Sequence, residues 1–208
     1  MSDTRPTMGG KPVFVVPSKA VFNFDSGFKH KKLCDGATFT TGNACVYSCS
    51  FCYVDSMQNK QKAWFEKQGV QYPSDTGHFG VVIRTKDAIE RARTQLTSYP
   101  AQWRKEKRVV YASPKVDVAG NMELVRETVE ICKLILELTN WDIRLLSKSN
   151  LLPQIAKQLV EQYDGNSGDR IIYGVSTGTL DDKLAKAFEE GTPLVSKRIE
   201  SLHWLQDN

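Results

Sequence analysis

Three cysteines lie within eight residues of one short segment. They are Cys45, Cys49 and Cys52, with the spacing C-x3-C-x2-C, and Tyr53 follows the third of them. Cysteine thiolates hold iron–sulfur clusters, and several thiolates in one irregular loop can converge on a single cluster. A fully ligated cluster takes four ligands, so this spacing predicts a cluster with one open iron. Cys34, a partner or a small molecule could fill that position.

A zinc site and ordinary packing are the two alternatives. Zinc sites usually combine paired C-x2-C units with a further ligand downstream, and the nearest later cysteine or histidine is His78, in a Gly-rich stretch. Buried, unreactive cysteines would need no ligand at all. The chain holds only five cysteines, so the grouping of three favours a functional centre.

The length and composition indicate a single globular domain. The chain has 208 residues, of which 40% are hydrophobic and 25% are charged, as in an ordinary water-soluble protein. No apolar run approaches the roughly 20 residues that a membrane span needs. The first residues lack the order of a signal peptide, so we expect a cytoplasmic protein in which clustered cysteines serve metal binding or catalysis.

Basic residues are concentrated in two groups, although the net charge of +4 is mild. The first group is Lys29, His30, Lys31 and Lys32, and the second is Arg104, Lys105, Lys107 and Arg108. Such groups can bind a phosphate backbone, but they can equally form a solvated face.

Short apolar segments alternate with segments of helical periodicity after an extended arm over residues 1–36, which we expect to pack on the core. The predicted strands span 37–41, 81–84, 108–112, 142–146 and 170–175. The predicted helices span 57–68, 86–97, 122–138, 152–163, 180–188 and 193–205, with a turn at 164–169. This order predicts an α/β domain over residues 37–208, with about four to five parallel strands and outer helices.

Polar residues follow the predicted strands, where the carboxyl ends of parallel strands gather catalytic groups. They are Ser113 and Asp117, then Ser147, Lys148 and Ser149, then Ser176, Thr177 and Thr179. Serine and threonine in such places also form turns and helix caps. Lys148 differs, because a cation at this edge could neutralise a carboxylate.

The cysteine loop resembles that of the radical S-adenosylmethionine (SAM) superfamily. Further landmarks in the same order resemble its spore photoproduct lyase branch. They are Ile83-Arg84, Ala112 to Gly120, Ser147-Lys148, Val175-Ser176, Phe188 to Pro193 and Arg198. The resemblance covers about residues 37–205 and implies a partial (β/α) barrel of the TIM type.

The resemblance implies two cofactors and a set of residues that bind them. Cys45, Cys49 and Cys52 would ligate a 4Fe-4S cluster, whose open iron chelates SAM. Phe51 would lie beside the adenine, Lys148 and Ser176 near the carboxylate end, and Asp117 or Ser113 near the amino or ribose groups. Ser147 would also belong to the cofactor site. Tyr53 would stand beside the radical path. Phe51 could instead be a core residue, and Tyr53 could be a simple hydrogen-bonded tyrosine.

The sequence departs from the pattern of the spore photoproduct lyase branch at two points. Pro114 stands where the lyase has its hydrogen-donor cysteine, and Cys132, the next cysteine after Cys52, lies in an apolar helical stretch typical of packing. The carboxyl-terminal part of the lyase that contacts the lesion has no counterpart in the sequence. The first departure favours modification or rearrangement of a nucleic-acid base, derived from thymine in DNA, over dimer splitting. The second leaves three alternatives, which are a compact partial barrel, a barrel that a partner completes, and a fragment of a longer protein.

Two other functions remain open at this stage. One is repair of thymine dimers with another hydrogen donor, such as Tyr53, and the other is a non-enzymatic, metal-stabilised nucleic-acid-binding protein. The enzymatic alternatives imply a nucleic-acid substrate and a reductant such as flavodoxin or ferredoxin.

Overall fold

A computed structural model describes residues 6–17, 20–163, 165 and 168–207. The first five residues of the predicted arm lie outside this range, as do residues 18 and 19. Of the predicted turn at 164–169, only residues 165, 168 and 169 are described. Within the described residues, no helix is both long and apolar enough to cross a membrane.

The described residues form eleven strands and seven α-helices. The strands are β1 (Thr7–Met8), β2 (Lys11–Val16), β3 (Phe22–Asn23), β4 (Thr38–Phe39), β5 (Gly42–Ala44), β6 (Ser48–Cys49), β7 (Val82–Thr85), β8 (Val109–Ala112), β9 (Asp142–Ser147), β10 (Ile171–Val175) and β11 (Glu189–Glu190). The helices are α1 (Val54–Lys67), α2 (Ala88–Ser98), α3 (Ala101–Lys105), α4 (Met122–Leu138), α5 (Leu152–Gln162), α6 (Asp182–Phe188) and α7 (Val195–Asp207). Short 3₁₀ helices cover Gly27–Lys31, Gly77–Gly80 and Gly168–Arg170.

The main sheet has the order β10-β9-β8-β4-β3. Strands β4, β8, β9 and β10 are parallel, and β3 closes the edge in the antiparallel sense. Helix α4 connects β8 to β9 and α5 connects β9 to β10, as parallel neighbours require. The carboxyl ends of these four strands therefore open on the same edge.

The other strands form two smaller sheets. One has the order β1-β2-β7-β5, in which β2 and β7 are parallel, and the other pairs β11 with β6. The predicted strand at 81–84 is thus present as β7, but its partners are β2 from the arm and β5 rather than strands of the main sheet. The mixed α/β class and the parallel strands are confirmed. A partial barrel is not shown directly, because hydrogen bonding divides the strands between separate sheets.

Helix α4 illustrates how well strong periodicity fixes an element. Its bounds agree with the prediction, and Asn121 caps it by accepting a hydrogen bond from the Leu124 N–H at 2.9 Å. Its apolar face is buried between the main sheet and helices α2 and α5. Cys132 lies on this face without exposure, so the prediction that it serves packing is confirmed.

The arm is joined to the core through aromatic rings as well as through β2. Phe24 stacks on Tyr99 with ring centroids 3.9 Å apart, and both rings contact the edge of Trp141. Trp141 is fully buried, and its indole N–H donates to the Trp103 carbonyl at 3.1 Å. Buried aromatic side chains of this size dominate the energetics of a core, so the arm has a fixed place on the sheet.

Candidate active site

All of the predicted site residues line one cavity of about 190 Å³ at the carboxyl ends of the main-sheet strands. They are Cys45, Cys49, Phe51, Cys52, Tyr53, Ser113, Asp117, Ser147, Lys148 and Ser176. Their positions follow from the topology, because Ser113 directly follows β8, Ser147 ends β9 and Ser176 follows β10. The cysteine segment reaches the same place from β5, which ends at Ala44.

The cysteine loop is held by backbone pairing with a distant strand. Strand β6 pairs with β11, so that Cys49 lies opposite Glu189, and the Ser50 N–H donates to the Phe188 carbonyl at 2.9 Å. On its other side, the Lys11 ammonium donates to the Tyr47 carbonyl at 3.1 Å and to the Ser48 hydroxyl at 2.9 Å. The cysteine loop is thereby fixed from two directions.

The three loop cysteines are free thiols in a desolvated environment. Cys49 is buried, while Cys45 and Cys52 are partly buried. Burial raises the pKa of Cys45 to about 12 and that of Cys49 to about 11, so both thiols are protonated at neutral pH. Metal binding at this loop would therefore release protons.

The donor set fits an iron–sulfur cluster better than it fits a ready-made zinc site. Among the described residues, no three Cys, His, Asp or Glu side chains form a metal-binding group as they stand. Cys34 and Cys132 do not line the cavity, and neither does His78. The Nδ1 atom of His78 instead lies 2.8 Å from the Asp55 carboxylate. Three thiols line one cavity, no further cysteine or histidine of the described residues lines it, and this is the donor set that the predicted open cluster would need.

Ser113 has two unusual features for its position in the cavity wall. Its φ angle is +51°, in the left-handed region that non-glycine residues rarely adopt. Its hydroxyl is buried and has no hydrogen-bond partner. Both features are costly without compensation, and such residues cluster at ligand sites. The hydroxyl is therefore suited to a hydrogen bond with a bound molecule.

Asp117 joins the loops after β8 and β9. Its Oδ1 accepts hydrogen bonds from the Ser147 hydroxyl at 2.6 Å and from the Ala119 N–H at 2.9 Å, and its Oδ2 accepts one from the Lys148 N–H at 2.7 Å. Burial raises the pKa of Asp117, and these hydrogen bonds act in the opposite direction. Asp117 and Ser147 thus contact each other, and the carboxylate fixes the backbone from which Lys148 projects.

We expect Asp117→Asn to lower the free energy of unfolding by about 1–3 kcal/mol, because the amide nitrogen would face a hydrogen-bond donor. Urea unfolding followed by circular dichroism measures this loss. Asp181→Asn is the matched control, because Asp181 caps the exposed end of α6 and asparagine caps helices equally well. Equal losses in the two variants would contradict the role given to Asp117.

Lys148 belongs to a buried cluster of charges that the sequence did not reveal. Its ammonium pairs with the carboxylate of Glu189, whose other oxygen lies 2.6 Å from Nη1 of Arg198. Glu189 is 1% exposed and Arg198 is fully buried. Burial alone would raise the pKa of Glu189, but hydrogen bonds from the two cations outweigh it and hold the pKa below its usual range. The cluster of Lys148, Glu189 and Arg198 alone carries one net positive charge, and the Asp117 carboxylate lies in the same cavity as Lys148.

Arg198 also fixes the backbone around Ser176. Its guanidinium donates to the carbonyl oxygens of Ser176 at 3.2 Å and Pro193 at 2.9 Å, and to the Thr192 hydroxyl at 2.5 Å. In the sequence, residues 188–193 and Arg198 are only landmarks of the resemblance. Their spacing carried no sign of this cluster, because its members come from three separate elements.

The two predicted aromatic residues are surface-accessible parts of the cavity wall. Phe51 is 54% exposed, so it is not a core residue; its ring packs edge-on against Phe188, and the Lys148 ammonium lies 5.1 Å from the ring centroid. Tyr53 is 47% exposed, and its hydroxyl donates to the Pro114 carbonyl. Tyr53 and Pro114 are thus in direct contact within the cavity wall.

The two basic groups lie in different surroundings. The second group precedes β8, at the opposite edge of the sheet from the cavity, and its members make structural contacts. Arg104 donates to the Tyr99 carbonyl, Lys107 pairs with Asp142, and Arg108 pairs with Glu106. The first group, Lys29 to Lys32, lies on the same side of the molecule as Tyr53, because the Lys31 ammonium is 6.0 Å from its ring.

The chain matches known proteins by three-dimensional structure but not by sequence. No protein-family model and no curated protein matches the chain. A spore photoproduct lyase mutant solved with dinucleoside spore photoproduct superposes with a TM-score of 0.64 at 12% sequence identity, over 94% of this chain and 47% of the lyase chain. The chain has the fold of spore photoproduct lyase.

Two further solved structures support the same assignment of the fold. The lyase complexed with dinucleoside spore photoproduct gives a TM-score of 0.63, and a mutant with bound AdoMet and dinucleoside spore photoproduct gives 0.59. Each is 12% identical, and each match covers 94% of this chain and 48% of the lyase. The chain therefore spans about half the length of the solved lyases that it matches. The resemblance predicted from the sequence is confirmed at the level of fold.

Proposed function

We propose that the protein is a radical SAM enzyme that acts on a nucleic-acid base, with a thymine-derived base in DNA as the preferred substrate. The observation that carries the proposal is the single cavity shared by the three loop cysteines and every predicted cofactor residue. The fold supports it, since the lyases of the same fold bind AdoMet and a dinucleoside photoproduct.

The chain's own residues would bind and orient two cofactors. Cys45, Cys49 and Cys52 would ligate a 4Fe-4S cluster, which with SAM supplies a 5'-deoxyadenosyl radical able to abstract hydrogen from a C–H bond. Lys148, with the net positive charge of its cluster, and Ser176 would hold the carboxylate of SAM.

Three other residues complete the proposed cofactor site. Phe51 offers an exposed ring for the adenine, and the unpartnered hydroxyl of Ser113 would hydrogen-bond the amino or ribose groups. Ser147 and Asp117 would affect cofactor binding indirectly. Asp117 accepts hydrogen bonds from the Ser147 hydroxyl and the Lys148 N–H, and so would hold Lys148 in position. A flavodoxin or ferredoxin would supply the electron.

The residue at position 114 favours modification or rearrangement over repair by the lyase route. Pro114 lines the cavity where the resemblance places the hydrogen-donor cysteine, and no cysteine other than the three loop cysteines lines the cavity in the described structure. Repair with another donor is the second candidate, and the contact between the Tyr53 hydroxyl and Pro114 favours Tyr53 as that donor.

The test begins with protein purified without oxygen and reconstituted with iron and sulfide. We expect about four irons per chain, and release of 5'-deoxyadenosine when SAM and a reductant are added. Colourless protein with one bound zinc, and no cleavage of SAM, would favour a non-enzymatic binding protein instead.

The substrate is tested by incubation with ultraviolet-damaged DNA and with DNA that bears modified thymines. A mass change in the nucleosides of the second substrate alone supports base modification, whereas restored thymine in the first supports repair. If repair occurs and is lost in Tyr53→Phe, the second candidate is correct.

A further inference from the structure

A second cavity of about 650 Å³ adjoins the candidate active site. The two cavities share Tyr53, Pro114 and Lys115 in their walls. The volume lies within the roughly 300–1,000 Å³ typical of small-molecule sites. A molecule in the second cavity would thus reach the wall of the first.

The arm supplies most of the wall of this second cavity, and a set of contacts fixes its position. Arg144 donates to the carbonyl oxygens of Lys32 and Leu33, both at 2.9 Å. The Asp35 carboxylate accepts a hydrogen bond from the Val109 N–H at 2.7 Å. Ser26 caps the 3₁₀ helix Gly27–Lys31. The cavity wall is therefore a built part of the fold.

The wall has three kinds of group that match a nucleotide. Phe28 and Tyr53 form an aromatic corner with ring centroids 6.2 Å apart, and stacking on such rings binds unpaired bases. The Lys31 ammonium lies 5.6 Å from the Phe28 ring centroid and can bind a phosphate group. Asn23, Thr38 and Thr40 also line the cavity, and their side chains carry groups of the kind that hydrogen-bond base edges.

The charge around this cavity is suited to an anionic strand. Lys29 is paired with Asp25 at 2.5 Å, whereas Lys31 lines the cavity and is exposed, with His30 and Lys32 beside it on the surface. A phosphate backbone gains affinity from such a local excess of positive charge.

We propose that the second cavity is the substrate subsite, in which an unpaired nucleotide places its base against Phe28 and Tyr53 and its phosphate on Lys31. The choice of a nucleic-acid ligand rests on the proposed function. The subsite explains how a target base could lie beside Tyr53 and Pro114 after leaving a duplex, which it must do to reach any enclosed site.

Binding of a short, fluorescein-labelled single-stranded oligothymidylate to the full chain, followed by anisotropy, tests this subsite. We expect the single strand to bind more tightly than the corresponding duplex. Phe28→Leu should weaken binding about fivefold or more, because base stacking is lost. Lys31→Ala should weaken it and reduce the slope of log affinity against log salt by about one phosphate contact.

Two matched variants distinguish binding at this subsite from a general effect of removing any positive charge or any aromatic ring. Lys29→Ala removes an equal charge from the same 3₁₀ helix but outside the cavity, and Trp64→Leu removes an exposed ring from α1. Both should bind nearly as the wild type does. Equal losses in Lys29→Ala and Lys31→Ala, or equal affinity for single strand and duplex, would overturn the proposal.

The binding measurement is independent of SAM cleavage. Selective single-strand binding by a protein that never cleaves SAM would reject the proposed chemistry and retain the subsite. SAM cleavage without selective binding, or with binding unaffected by Phe28→Leu and Lys31→Ala, would reject the subsite and retain the chemistry.

Discussion

Cys49→Ala should abolish cluster binding and SAM cleavage while leaving the fold intact. The thiol would ligate one iron of the cluster, and no other cysteine of the described structure beyond Cys45 and Cys52 lines the cavity to replace it. The fold should survive because the pairing of β6 with β11 uses backbone groups rather than the thiol. Iron content, the visible absorption spectrum and 5'-deoxyadenosine release are the measurements.

Cys34→Ala is the matched control for this prediction. Cys34 is also a buried cysteine, but it lies outside the cavity. Its variant should keep the iron content and the cleavage activity of the wild type. Full iron content and turnover in Cys49→Ala would refute the ligand assignment, and loss of both in Cys34→Ala as well would mean that the losses do not report on the cavity thiols.

Glu189→Gln should lower the free energy of unfolding by about 3–5 kcal/mol, since it removes the one negative charge between two buried cations. Arg198 is fully buried and the Lys148 side chain is 16% exposed, so water compensates little of the loss. Glu190→Gln is the control, because Glu190 is the same residue type in the same strand but is exposed. Its effect should stay within about 0.5 kcal/mol.

Urea unfolding at neutral pH compares the two glutamate variants. Similar losses in both would mean that the charge cluster contributes no more than a surface pair.

The cluster also predicts a pH dependence. Because folding lowers the pKa of Glu189 below its ordinary value of 4.5, its contribution is complete above that value and is lost as the pH falls below it. The difference between wild type and Glu189→Gln should therefore shrink in acid.

The location of the candidate site could be predicted because it depends on local signals. Three cysteines in one loop, and polar residues such as Ser113 and Lys148 directly after apolar strands, need only the rule that parallel strands open on one edge. The long apolar periodicity of α4 likewise fixed its bounds. Each of these features can be recognised from a short stretch of consecutive residues.

The features that were missed depend on residues far apart in the chain. Strands β6 and β11 have two residues each, which is too short for any alternating pattern, and their pairing is not visible in either segment alone. The pairing of β7 with β2 also joins distant segments, since β2 begins at Lys11 and β7 begins at Val82. Glu189 and Lys148 are 41 residues apart, and a glutamate next to another glutamate reads as a surface residue.

The hydrogen bond from Ser50 to Phe188 joins residues 138 positions apart. Contacts of such long range form late, since the intervening chain must first be ordered. During synthesis the cysteine segment leaves the ribosome long before β11 does. We therefore expect assembly of the proposed iron–sulfur cluster to follow translation of residue 190, and chains cut before that point to remain without iron.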